Sequence, residues 1–165
     1  MKKISTDAKR SDFLKLIKES DRGCVSVVCE FFNKRLAAIL VTAVVAKIIK
    51  KKSIRRLDFD GKIKLAHASK LITSEQSKAL NAIRELRNHA NHTDIEFSLE
   101  NMGVIAHLKI LDKYAAMINS DRLMDFEDIL GKIEDENMRR FEFLVTTYQI
   151  YEELQKKLYE LFEML

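Results

Sequence analysis

The chain has 165 residues, of which 47% are hydrophobic and 33% charged, with a formal net charge of +4 and a pI near 9.0. This length and balance are typical of one globular domain and exclude an intrinsically disordered chain. Because 29 basic residues face 25 acidic ones, the surface is mixed, and charge alone identifies no polyanion partner.

The scarcity of helix-breaking residues predicts an all-α fold. The sequence has no proline and four glycines, and these residue types interrupt helices and build tight hairpins. We expect a single helical domain over residues 1–165, a bundle with a long central helix and a long carboxy-terminal helix that covers 134–165.

The first elements are a short helix around Asp12 to Lys18 and a long one from about Gly23 to Lys50. The preceding MKKISTDAKRSDF has lysines but no apolar core, so we do not expect a secretory signal. Within the long helix, Leu36 to Ala46 (LAAILVTAVVA) is too short for a membrane span, which needs about 20 residues. It is typical of the buried central helix of a bundle. The lack of a secretory signal leads us to expect a cytoplasmic protein.

Cys24 and Cys29 lie on the same predicted helix. Their spacing of five matches no CxxC metal or redox motif. We therefore interpret both as buried, reduced thiols and expect neither a metal site nor a cofactor.

A basic run follows the long helix, and two interpretations of it stay open. It is a solvated linker or a patch that contacts phosphates. Its basic residues are Lys50, Lys51, Lys52, Arg55 and Arg56. Beyond it we expect a helix from about Gly61 to Leu71.

The next helix carries the most polar stretch of the sequence, NAIRELRNHANHTD. We expect it to begin at an N-cap, Ser74, and to bury a stripe of Leu80, Ile83 and Leu86. The poor helix formers at 91–94 predict its end. Its polar residues, which lie off that stripe, are Arg84, Arg87, Asn88 and Asn91.

Three helices are expected after this one, at about Ser98 to Ile118, across SDRLMDFEDILGKI and from Phe141 to Leu165. The last has a heptad pattern that predicts packing in its own bundle or a homodimer interface. One heptad position of the seam is occupied by Phe141, Tyr148, Gln155 and Phe162, and the other by Leu144, Tyr151, Leu158 and Leu165.

The RNHANH residues could form a phosphodiester-cleaving site. His92 would take a proton from a ribose 2′-hydroxyl, Arg87 would stabilise the developing charge, and Asn88 would position the phosphate. Arg84 could add a phosphate contact, with His89 nearby.

Since five residues turn a helix by about 500°, Arg87 and His92 converge only if the helix ends at Ala90 or Asn91. The alternative is a helix end that collects Arg, His and Asn to suit its dipole and cap.

RELRNHANH resembles the RN-x-x-x-H signature of HEPN domains, which are small helical bundles. The resemblance implies a metal-independent RNase site made by Arg87, Asn88 and His92, often across a dimer interface. Whether this chain is an enzyme stays open.

A wider resemblance is to the mannitol operon repressor family and covers roughly residues 19–92. It rests on ESDRGCVSVVCEFFNKRLAAIL, DFDGKIKLAHASKLIT and LNAIRELRNHANH. It implies a regulatory, dimeric protein that acts through a protein or RNA partner. In SDRG, Ser20 or Asp21 could cap the long helix, or Asp21 and Arg22 could face Arg87 and His92 as binding residues.

Sequence-specific DNA binding is not expected despite the word repressor. The best candidate helix-turn-helix turn, at Gly131, is followed by Glu134, Asp135 and Glu136. These carboxylates would meet the DNA phosphates first. The function that we expect is that of a regulatory interaction protein of the mannitol operon repressor kind, and the alternative is a HEPN-type ribonuclease.

Overall fold

The computed structural model describes residues 11–13, 15–48, 54–92, 96–118 and 135–165. In these segments the chain forms helices and turns without a β-strand, which confirms the predicted all-α class. The main α-helices of these segments are α1 Asp21–Val45, α2 Phe59–Ala68, α3 Ser74–His92, α4 Met102–Ile118 and α5 Met138–Glu163. Short 3-10 helices lie at Leu16–Lys18, Ile54–Arg56 and Asp135–Asn137.

Four of these helices contact one another in a closed ring: α1 packs on α3, α3 on α4, α4 on α5, and α5 on α1. The shorter α2 packs against both α1 and α3. One cluster of buried apolar side chains runs through this arrangement. The long central helix predicted from the sequence is therefore α1, since it contacts α2, α3 and α5.

The α1 helix is displaced from its predicted range of 23–50 at both ends. It begins at Asp21 because the Ser20 hydroxyl accepts a hydrogen bond from the Gly23 amide at 3.1 Å, which satisfies an amide of the first turn. It ends at Val45, and Lys47 then adopts a left-handed conformation with φ of 58°. The Ile48 amide donates back to the Ala43 carbonyl at 2.9 Å and closes the end.

The apolar run at 36–46 packs inside the bundle along one side only, so the prediction of a buried helix is confirmed in part. Leu36, Ile39, Leu40 and Ala43 are fully buried, whereas Val41 is 47% and Val45 is 60% exposed. None of the helices in the described segments has the length and apolar character that crossing a membrane requires.

Both cysteines are buried and reduced, as predicted. Burial raises the pKa of the Cys24 thiol to about 12 and that of Cys29 to about 11. Both thiols therefore stay protonated near neutral pH and act as small apolar groups.

The heptad seam of α5 faces the bundle of its own chain over most of its length. Phe141, Leu144 and Leu158 are buried, whereas Phe162 is 54% and Leu165 is 61% exposed. The prediction of packing within the chain is confirmed up to Leu161, which is buried too. A homodimer contact at the exposed end stays a prediction.

Other boundaries shift by a few residues. The α2 helix spans 59–68 rather than 61–71 because Asp58 accepts from the Gly61 amide at 2.8 Å and caps it early. The α4 helix begins at Met102 rather than Ser98, after a turn in which the Asn101 amide donates to the Ser98 carbonyl. The predicted helix across 120–133 and the Gly131 turn lie outside the described residues.

Candidate functional site

The α3 helix begins with a reciprocal cap one residue earlier than predicted. The Gln76 amide donates to the Thr73 hydroxyl at 3.1 Å, and the Thr73 amide donates to the Gln76 side-chain oxygen at 2.9 Å. This is a capping box, so the N-cap is Thr73. The expectation that Ser74 is the cap is wrong, because Ser74 is already helical and its hydroxyl lies 3.2 Å from His67 Nε2.

At its other end α3 continues through His92. The predicted apolar stripe is confirmed, since Leu80, Ile83 and Leu86 are all fully buried. The helix therefore does not end at Ala90 or Asn91, which was the condition for Arg87 and His92 of one chain to turn into the same pocket. On this continuous helix the two side chains leave the axis about 140° apart.

The residues between those two directions form one polar surface. Taking Arg87 as zero, Asn91 lies at about 40°, Asn88 at about 100° and His92 at about 140° around the helix axis. We call Arg87, Asn88, Asn91 and His92 the α3 polar arc. Arg87, Asn91 and His92 are exposed and Asn88 is half-buried. The arc is a strip of hydrogen-bonding side chains on the outer surface of α3.

Arg87 and His92 form no hydrogen bond or ion pair with another described residue. Arg87 lies close enough to α1 for its charge to act on the buried Cys29 thiol. Burial, the larger effect, raises the pKa of Cys29, and the positive charge of Arg87 acts in the opposite direction and lowers it. Among the residues that the structure describes, the guanidinium of Arg87 and the imidazole of His92 are therefore exposed groups without a hydrogen-bond partner.

Arg84, predicted as a phosphate contact, is held by carboxylates instead. Its guanidinium pairs with Asp60 of α2 through one terminal nitrogen and with Glu85 through the other. Hydrogen bonds from Lys64 and the charge of Arg84 outweigh burial and lower the pKa of Asp60. In this arrangement Arg84 joins α2 to α3 and is engaged within the chain.

A second polar group adjoins the arc on the side of α4. Asn88 Nδ2 donates to Glu85 Oε2 at 3.3 Å. The His89 ring lies against the His107 ring of α4, with centroids 5.5 Å apart and planes at 48°. His89 is exposed and His107 is half-buried.

The pKa values of both titrating groups beside the arc, Glu85 and His107, are lowered. Hydrogen bonding from Arg84 lowers the pKa of Glu85, assisted by Asn88 and opposed by burial. Burial lowers the pKa of His107, and the neighbouring His89 lowers it further, while Glu85 acts in the opposite sense. Glu85 is therefore ionised and His107 is neutral near pH 7.

Asp21 is engaged in holding helices together. One carboxylate oxygen accepts from Arg140 Nε of α5 at 2.7 Å, and the other accepts from the Leu99 amide at 2.8 Å. Arg140 also donates to the Ile17 carbonyl at 2.7 Å. Both Asp21 oxygens thus have partners away from the arc, and the prediction that Asp21 faces Arg87 and His92 gains no support. Arg22 is half-buried in the first turn of α1 and has interactions of its own.

Of the basic run, Lys50, Lys51 and Lys52 lie outside the described residues. Ile54–Arg56 forms a 3-10 helix that contacts α1, and the Arg56 side chain is exposed. Neither interpretation of the run is tested by these contacts.

His107 and Glu85 are the residues that sequence reasoning missed. Their signal depends on the packing of α4 against α3, since His107 is 18 residues from His89 along the chain. In the described segments no group of three or more His, Cys, Asp or Glu side chains is arranged to hold a metal ion.

A family model described as a domain of unknown function, DUF4145, matches residues 26–122. No curated protein and no solved structure matches the chain. The family match includes all of α3 and α4, and hence the polar arc and His107, whereas Asp21 and α5 lie outside it. It does not test the resemblances to HEPN domains and the mannitol operon repressor family. Because the match covers more than half of the 165 residues, the chain belongs to the DUF4145 family.

Proposed function

We propose that this protein is a metal-independent endoribonuclease of the HEPN kind that binds RNA on the α3 polar arc. The observation that carries the proposal is the exposure of Arg87 and His92 without a hydrogen bond or ion pair to another described residue. Arginines and histidines that serve only the fold commonly pair with a carboxylate or carbonyl, as Arg84 and Arg140 do here.

The chemistry follows from the side chains. His92 accepts the proton of a ribose 2′-hydroxyl, and the freed oxygen attacks the adjacent phosphorus. The bond from phosphorus to the 5′-oxygen breaks and that oxygen takes up a proton, which leaves a 2′,3′-cyclic phosphate and a 5′-hydroxyl. Arg87 stabilises the charge that develops on the phosphate oxygens, and the Asn88 amide positions the phosphate. In this scheme the protein side chains alone supply the proton acceptor and the positive charge.

The angle between Arg87 and His92 bears on how many chains make one site. Side chains about 140° apart reach opposite flanks of a strand that lies along the helix. A homodimer that apposes two α3 helices would bring Arg87 of one chain toward His92 of the other. We therefore propose a homodimer as the active form.

The test is cleavage of a mixed RNA pool by the purified protein in excess EDTA. We expect fragments that end in a cyclic phosphate, and we expect His92→Ala to lose them. His67→Ala is the matched control, because His67 is also an exposed histidine but bonds to Ser74 at the opposite end of α3. Intact RNA with the wild-type protein, or equal cleavage by His92→Ala, would refute the proposal.

A regulatory protein of the mannitol operon repressor kind is the second candidate. The separation of Arg87 and His92 around α3 favours it, because one chain then offers an extended binding surface rather than a converged site. Such a protein would act in the cytoplasm through an RNA or protein partner. It predicts that RNA is left intact and that expression does not slow growth, whereas an active ribonuclease should be toxic unless His92 is replaced.

A further inference from the structure

The paired rings of His89 and His107 are the feature that the proposed chemistry leaves unused. Cleavage by His92 explains where the 2′-hydroxyl proton goes, but the departing 5′-oxygen also needs a proton. His89 belongs to the same helix as His92, three residues before it. Residues three apart on a helix are neighbours, with Cβ atoms about 5–6 Å apart. Two imidazoles at this spacing can flank one phosphodiester.

The surroundings distinguish the two rings of the pair. His107 is half-buried against α3, and both burial and His89 disfavour its protonated form. His89 is exposed. The other charged group that acts on His107 is Glu85, which is itself paired with Arg84. Burial and the neighbouring His89 thus favour the neutral form of His107, and His89 is the ring of the pair that reaches solvent.

We propose that His89 is the second proton-transfer group of the same site, with His107 as the residue that positions its ring. This inference rests on the proposed ribonuclease function. As the 2′-oxygen bonds to phosphorus, His92 takes the 2′-hydroxyl proton. The bond from phosphorus to the 5′-oxygen breaks, and the protonated His89 gives its proton to that oxygen. The products are a 2′,3′-cyclic phosphate and a free 5′-hydroxyl, so atoms and charge balance without a co-reactant.

Two substrates separate this role from a structural one. In RNA the leaving 5′-alkoxide requires a proton, whereas uridine 3′-(4-nitrophenyl phosphate) releases 4-nitrophenolate, which leaves without one. We expect His89→Ala to slow cleavage of an RNA oligonucleotide by roughly 100-fold or more. Its rate on the nitrophenyl ester should stay close to wild type. His92→Ala should slow both substrates, because both need the 2′-hydroxyl proton removed.

The outcomes are distinguishable. A wild-type protein that cleaves neither substrate would overturn the proposed function and this inference together. If the wild-type protein is active, the inference alone would be overturned by either of two results for His89→Ala. One is an equal loss of rate on both substrates, and the other is no loss of rate on either substrate. His67→Ala is again the control, and thermal unfolding of each variant shows whether it is folded.

His107 has its own readout in the pH profile. If His107 positions the His89 ring and its presence affects how readily His89 holds a proton, His107→Ala should change the pH of the alkaline limb of the RNA cleavage profile. That limb reports the proton donor. The profile on the nitrophenyl ester should lack that limb and stay unchanged. An unchanged RNA profile with a lower rate would mean that His107 only packs α4 on α3, and would overturn its positioning role.

Discussion

The SDRG and RNHANH stretches are both polar, yet the fold uses them differently. In SDRG, Ser20 caps α1 and Asp21 bonds Arg140 and the Leu99 amide. In RNHANH, Arg87 and His92 have no hydrogen bond or ion pair to another described residue and lie on the surface. The first stretch joins the start of α1 to α5, whereas Arg87 and His92 of the second make no such contact among the described residues. Polar residues in a sequence thus divide into those that stabilise the fold and those that the fold presents.

The largest expected change in the free energy of unfolding concerns the SDRG stretch and its partner Arg140. Arg140→Ala should lower the free energy of unfolding by about 3 kcal/mol, because it leaves the poorly exposed Asp21 carboxylate without its charged partner. Each side chain of this pair is only 16% exposed. Urea unfolding measures the loss. The neighbouring Arg139→Ala is the control, since its pair with Glu142 is exposed and should change stability by less than about 1 kcal/mol. Equal losses in the two variants would contradict the comparison.

The next largest effect on the free energy of unfolding is expected at the start of α3. Thr73→Ala should cost about 1 kcal/mol because it removes the capping box, and Ser74→Ala should cost far less. Urea unfolding of the two variants checks this. A larger loss for Ser74→Ala would mean that the cap is at the residue predicted from the sequence.

A gain in stability is expected where the backbone is strained. Lys70, after α2, has φ of 56°, and the Leu71 amide donates to the Ala66 carbonyl at 2.9 Å. Lys70→Gly should stabilise the protein by about 0.5–1 kcal/mol because glycine adopts this conformation readily. Ser69→Gly is the control, since Ser69 has φ of −88° and should gain nothing. Equal thermal unfolding midpoints for wild type and Lys70→Gly would refute this account of the turn.

The smallest effect is a pH dependence beside the arc. Burial, then His89, lowers the pKa of His107 from 6.5. The unfolded chain therefore takes up this proton at a higher pH than the folded chain. The contribution of His107 to the free energy of unfolding is thus fully present above about pH 6.5 and is lost as the pH drops through the folded-state pKa. Urea unfolding across this range should show a weaker dependence in His107→Gln. An unchanged slope would mean that His107 is not shifted.

The sequence predicted the helices well because their signals are local. The spacing of Leu80, Ile83 and Leu86 indicated the buried stripe of α3, and the absence of proline indicated the helical class. The helix ends were less well predicted, because a cap such as Thr73 depends on which of two adjacent hydroxyls reaches a free amide. The left-handed lysines that follow α1 and α2 carry no glycine signal.

The candidate site was only partly predictable for a different reason. Arg87, Asn88 and His92 are neighbours in sequence, so a local motif indicated them. The contact of His89 with His107 and that of Asp21 with Arg140 join residues of different helices. Such contacts depend on how helices pack, and no local pattern specifies them. For the same reason the engagement of Arg84 by Asp60 was not foreseen.

The most direct measurement compares Arg87→Ala with Arg140→Ala for both RNA cleavage in EDTA and urea unfolding. The account predicts that Arg87→Ala keeps the wild-type free energy of unfolding within about 0.5 kcal/mol and loses cleavage by roughly 100-fold. Arg140→Ala should lose stability but cleave at a near wild-type rate per folded molecule. The contradicting result is an Arg87→Ala variant that unfolds as easily as Arg140→Ala while its cleavage follows only the folded fraction.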